Sequence, residues 1–168
     1  MSLWPWRKAG TRPEEALYAA IVAAARRPRF YATGAVPDTL EGRFDMVVLH
    51  LALVVERLQG EGMDELVRAL VERFVTGMDD ALRELGASDV TVGKKVRRMA
   101  EAFYGRAAAY GAAGNDETAL AAALARNLWP DVEPPGALPE LARWVVAARA
   151  ALAAQPAAAM AQGTVTFP

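Results

Sequence analysis

The hydrophobic positions of this chain recur at helical rather than strand spacing, and one stretch is apolar almost all the way round. At about 100° per residue, Val47, Leu51, Val54 and Leu58 fill one side of the segment from 38 to about 59, and Met46, Leu49 and Leu53 reach round the other. A helix of that kind is buried and packed on several sides by others. The turn before it carries Pro37, which pushes Val36 out of the α region. Asp38 is placed to cap the helix, with Glu41 three residues on as an acidic capping box, and Gly42 completes the turn-and-cap unit. One polar seam interrupts the apolar surface. Arg43, His50 and Arg57 are spaced seven residues apart and stay within about 40° of one another along the axis.

The rest of the chain reads as helices of ordinary amphipathic kind. The first runs from Thr11, spaced to Glu14 as in a capping box, to about Arg27, with Leu17, Ala20, Ile21 and Ala24 inward and a stop at Pro28. Another starts at Asp64 as its cap and ends near Leu85 at the Gly86 stop, with Gly77 admitting a close neighbour. From Ser88 to Tyr110, Val92, Val96, Met99, Phe103 and Ala107 form one stripe, and Lys94, Arg97 and Arg98 lie opposite with Lys95 on the flank. Asn115 or Asp116 opens a shorter helix to about Leu128, a proline-rich loop follows, and a last helix runs from about Pro139 through Leu152. No period-2 stretch of useful length is present. The prediction is an all-α, single compact domain of about six helices around the buried one at about 38–59. Its domain spans 11–155, between an N-terminus at 1–10 expected to be flexible and a tail at 156–168 expected to dock loosely.

Composition narrows the function classes. The chain has 168 residues, 54% of them hydrophobic, and no cysteine, which excludes disulfides, thiol nucleophiles and thiolate metal sites. The longest apolar run, Met46 to Val55, falls short of the roughly 20 residues of a membrane span, and the first residues lack a secretory signal. These features place the protein in the cytoplasm, with a peripheral position on the cytoplasmic side of the inner membrane as the variant. The net charge of −1 conceals a blocked distribution, acidic through the middle and basic at 91–110. Leu3, Trp4, Trp6, Arg7 and Lys8 suit a membrane interface, through Trp4 and Trp6, a disordered terminus, or a Trp tucked against the domain. Lys94, Lys95, Arg97 and Arg98 form a basic surface for a ribosome, another nucleic acid or anionic lipid, or a solvated face paired within the fold.

Catalytic chemistry finds no constellation. His50 is the single histidine, the serines are Ser2 and Ser88, and no second histidine exists to share a metal. Neighbouring cations would hold the imidazole neutral. The expectation is therefore no catalytic residue, no metal, no cofactor and no small-molecule substrate. The seam arginines need carboxylate, carbonyl or phosphate partners, either inside the fold or on an outside partner.

The strings YATGAVPDTLEGRFDMVVLHLALVVERL, MDDALRELGASDVTVGKKVRRMAEAFYGRAAAY and LAAALARNLW resemble the ubiquinol-cytochrome c chaperone family, bacterial relatives of the mitochondrial assembly factor for cytochrome b. The likeness runs from about Phe30 to Ala154, with GASDV where the family is more glycine-rich. It implies an all-helical chaperone that binds newly made cytochrome b, or another subunit, and assists cytochrome bc1 complex (ubiquinol-cytochrome c reductase) biogenesis. Candidate client contacts are Arg43, His50 and Arg57, with Met46 beside them and Tyr104 and Arg106 from the AFYGR string. A ribosome- or nucleic-acid-associated helical module using the basic 94–98 face is the alternative function, without sequence-specific recognition.

Overall fold

The computed structural model describes residues 12–33 and 35–168, apart from the side chain of Val90. Thr11, with the capping box assigned to it, and Trp4 and Trp6 lie outside the described residues. The elements are α1 (Pro13–Ala25), α2 (Arg29–Ala32), α3 (Leu40–Gly60), α4 (Asp64–Glu84), α5 (Asp89–Ala113), α6 (Glu117–Leu128), α7 (Leu138–Ala153) and α8 (Ala157–Ala161). The architecture is all-α, and the six long helices are those the periodicity predicts. The two short ones, α2 and α8, fall in stretches too brief to show a period.

Helix α3 is the centre. Twelve of its 21 residues are buried, Met46, Val48, Leu51, Val54 and Leu58 completely. Each such side chain contributes about 1.5–3 kcal/mol by leaving water, which is why α1, α4, α5, α6 and α7 all pack against it. Helix α1 crosses α4 at Gly77, where an added Cβ would stand 2.6 Å from the Tyr18 hydroxyl oxygen. The ion pair of Arg73 with Glu15, at 2.6 Å, ties the same two helices.

The start of α3 corrects one expectation. The cap is Thr39, whose hydroxyl oxygen accepts from the Gly42 N–H at 3.1 Å, while Asp38 accepts from Arg43 Nε at 2.7 Å. Asp38 is thus a charge partner one residue outside the cap. Asp64 likewise stands one position inside α4, after Met63, where its charge favours the helix N-terminus. Asp116 does cap α6, accepting from the Thr118 and Ala119 N–H groups at 2.9 and 3.0 Å. Gly86 ends α4 with φ of +82°, a region that disfavours a side chain.

Gly42 fits the turn for a steric reason. A Cβ there would lie 2.0 Å from the Pro37 carbonyl oxygen, a backbone atom that moves only if the turn moves. Gly42→Ala is expected to cost about 2–3 kcal/mol. Gly105→Ala, in the α5 interior where a Cβ meets nothing within 4 Å, is expected to stabilise by up to about 1 kcal/mol. Thermal unfolding of the two variants side by side checks the opposite signs.

The segment after α7 also differs from expectation, being packed rather than loose. Met160, Val165 and Phe167 are buried, and Gln155 brackets Thr166, accepting from its N–H at 2.8 Å and donating to its carbonyl at 2.9 Å.

Candidate functional site

The three seam residues project the same way along α3 but meet different neighbours. His50 is fully buried beneath Phe30, Trp144 and Phe167, with ring centres 5.5, 4.8 and 4.7 Å away. Its Nδ1–H donates to the Met46 carbonyl at 2.7 Å, and Nε2 has no partner. Burial lowers its pKa to about 4; the Met46 bond works against this, and Arg27 and Arg29 add to it. The imidazole is therefore neutral at pH 7, chiefly through burial, and the cations that contribute are Arg27, between α1 and α2, and Arg29 of α2, not those of the seam. Met46 is likewise fully buried. Neither Met46 nor His50 presents surface to a client, which corrects their assignment as client contacts.

Arg57 is bound inside the fold. Its Nε donates to the Leu152 carbonyl at 3.1 Å and its Nη2 to the Gln155 carbonyl at 3.3 Å, and it also pairs with Glu61. It thereby ties α3 to the C-terminal end of α7 and the residues just after it, where the Leu152 carbonyl also accepts from the Gln155 N–H. Arg43 lies at the surface, paired with Asp38 and 5.6 Å above the Tyr31 ring. Arg106 reaches in from α5 to Asp45, 2.8 Å away but outside hydrogen-bond geometry, and lies 5.7 Å over the Phe44 ring. Burial raises the Asp45 carboxyl to about 6, Arg106 only partly offsetting it and Glu41 adding to it. Of the candidate contacts, Tyr104 is the most open, at 61% exposed.

Tyr104 stands on the wall of a groove of about 650 Å³ between α3, α4 and α5. Ala52 and Val55 of α3, Val67 and Val71 of α4, and Phe103 and Ala107 of α5 supply its apolar surface. Ala107, Ala108 and Gly111 keep the α5 wall low, so a helix or extended segment can approach the backbone closely. Glu56, Asp64 and Glu72 stand at the edge against one cation, Arg68, leaving it acidic. The groove carries no sequence signature of its own. Ala52 and Val55 read as core, and the small residues of α5 read as one more alanine-rich helix; the pairing of three helices in space makes the groove.

A second groove, of about 460 Å³, lies at the other end of α4 and also touches α1, α3 and α5. Leu40 and Leu85, 63% and 65% exposed, line it with Phe44 and Met99. Lys94, Lys95, Arg97 and Arg98 project to solvent from the adjoining part of α5. Among the described residues no group of three His, Asp or Glu side chains is placed to hold a metal, and no helix is long and apolar enough to cross a membrane.

Comparison with known proteins gives two matches. The family described as ubiquinol-cytochrome C chaperone matches residues 32–167. Among solved structures, the crystal structure of the Cbp3 homolog from Brucella abortus is 41% identical, with a TM-score of 0.83, covering 93% of this chain and 88% of that one. The search of curated proteins finds no match.

Proposed function

Because the chain belongs to the ubiquinol-cytochrome c chaperone family, we propose that it holds an apolar segment of newly made cytochrome b in the α3–α4–α5 groove until that subunit enters the bc1 complex. The observation that carries this reading is the groove itself, about 650 Å³ with an apolar floor and an acidic edge. A membrane-protein client offers matching chemistry. Its spanning segments are apolar, and their cytoplasmic flanks are enriched in Lys and Arg, which Asp64 and Glu72 can meet. The role is binding, without a chemical step: His50 has aromatic neighbours and no route to a ligand.

The test is a photo-crosslinking amino acid placed at Tyr104 or at Leu85 in cells that make the bc1 complex. Cytochrome b is expected to crosslink from position 104 and not from 85. Ala108→Trp, which fills the groove from an exposed position, is expected to lower recovery of cytochrome b about tenfold or more, a loss near 1.4 kcal/mol or above, with unfolding temperature unchanged. Crosslinks to cytochrome b from position 85 alone would reject the groove assignment.

A further inference from the structure

We infer that the basic face of α5 is a docking surface for an anionic lipid membrane, with Lys94, Lys95, Arg97 and Arg98 as its contacts. This goes beyond the client reading and uses a different surface. The four cations sit within five residues and, at about 100° per residue, span about 160° of the helix. All four are exposed, and none pairs with a carboxylate among the described residues. Residues 1–11 and Gly34 contain no Asp or Glu. Eight arginines elsewhere each hold a carboxylate, so the unpaired state of this cluster is not the rule in the molecule. Of the nearby acids, Asp89 and Asp79 both bind Arg83, and Glu101, four residues after Arg97, forms no ion pair with the cluster.

The opposite face of α5 fixes the mode of contact. Val92, Phe103 and Tyr110 are buried in the bundle, so the helix cannot roll its apolar side into lipid. Contact is electrostatic and peripheral, with each cation near an anionic surface worth roughly a fivefold change in partition. Apolar side chains stand beside the cations. Met99, one turn on from Lys95, shares its groove with the exposed Leu40 and Leu85, which can enter the headgroup region. A single-stranded nucleic acid would favour aromatic side chains for base stacking. From Ser88 to Arg98 there is none, and Tyr104 faces the other groove. The observations favour lipid over RNA.

The experiment is co-sedimentation of the full chain with vesicles of phosphatidylcholine alone and of phosphatidylcholine with phosphatidylglycerol, over a salt series. Binding is expected to the anionic vesicles only and to weaken as salt rises. A variant with Lys94, Lys95, Arg97 and Arg98 all changed to Gln, a good helix former at exposed positions, is expected to bind more than a hundredfold more weakly with unchanged circular dichroism. Equal binding by that variant, equal binding to neutral vesicles, or no vesicle binding beside salt-sensitive binding of an RNA oligonucleotide would each overturn the proposal. So would no binding to either.

Discussion

Phe167→Ala is expected to lower stability by about 3 kcal/mol, the lower end of the range for a buried phenylalanine, because this side chain closes the His50 pocket. Phe167 is 8% exposed and meets the imidazole edge-on at 4.7 Å. Its backbone is held as well: Arg27 donates to the Phe167 carbonyl at 3.2 Å and to that of Pro168 at 2.9 Å. Gly163 gives the segment its direction, with φ of +89° and its Cα pressed against α1, where a Cβ would stand 2.8 Å from Ala16 Cβ. The loss corresponds to a fall in melting temperature of roughly 6–12 °C for a chain of this size. Opening the pocket also admits water to His50, so its pKa is expected to climb back from about 4 toward its ordinary 6.5. Thermal unfolding by circular dichroism and NMR titration of the single histidine read the two effects. A melting temperature within about 2 °C of the parent would mean that the segment is as loose as its composition suggests.

That segment marks where the sequence stops being informative. The long helices were legible because their apolar residues recur with one period over many turns, and their ends because Gly86 and Asp116 carry the chemistry of a stop and a cap. The tail has only Met160, Val165 and Phe167, too few to show a period, and what receives it is His50 of α3 and Ala16 of α1, far away in the chain. The seam failed for a related reason. Arg43, His50 and Arg57 do share a direction along α3, but direction does not reveal the neighbour: solvent beside Asp38, an aromatic cluster, and the end of α7. Asp38 and Thr39 are both good caps, and the path into the helix, set by the contact of Pro37 with Gly42, selects the second. The family itself was legible, since it rests on strings rather than on geometry, although the match runs on to residue 167, past the Ala154 where the likeness read from them stops. The groove was not, since it belongs to no single string.

The two buried ionisable groups of α3 are expected to make opposite contributions to the pH dependence of stability. His50 has its pKa lowered from 6.5 to about 4. The unfolded chain therefore binds a proton that the fold refuses, and stability is lost as pH falls through that window. Asp45 has its pKa raised from 3.8 to about 6. Here the fold binds the proton that the unfolded chain refuses, and stability is gained as pH falls from 6 toward 3.8. Between pH 7 and pH 5 the histidine costs about 2 kcal/mol and the aspartate returns about 1, from the linkage relation. The parent protein then shows only a shallow net loss from these groups. Asp45→Asn removes the gain, so its loss between the two pH values is expected to be larger than the parent's by about 1 kcal/mol. His50→Leu removes the loss, which shifts its pH dependence the other way by about 2 kcal/mol and leaves no orphaned ring nitrogen in the aromatic pocket. The exposed carboxylates add the same background to all three proteins, so the comparison isolates the pair. Urea unfolding of parent, D45N and H50L at pH 7 and pH 5 reads these slopes directly. Identical slopes in all three would mean that neither group keeps its shifted pKa in the folded chain, and that the Asp45–Arg106 contact and the His50 pocket are open to water.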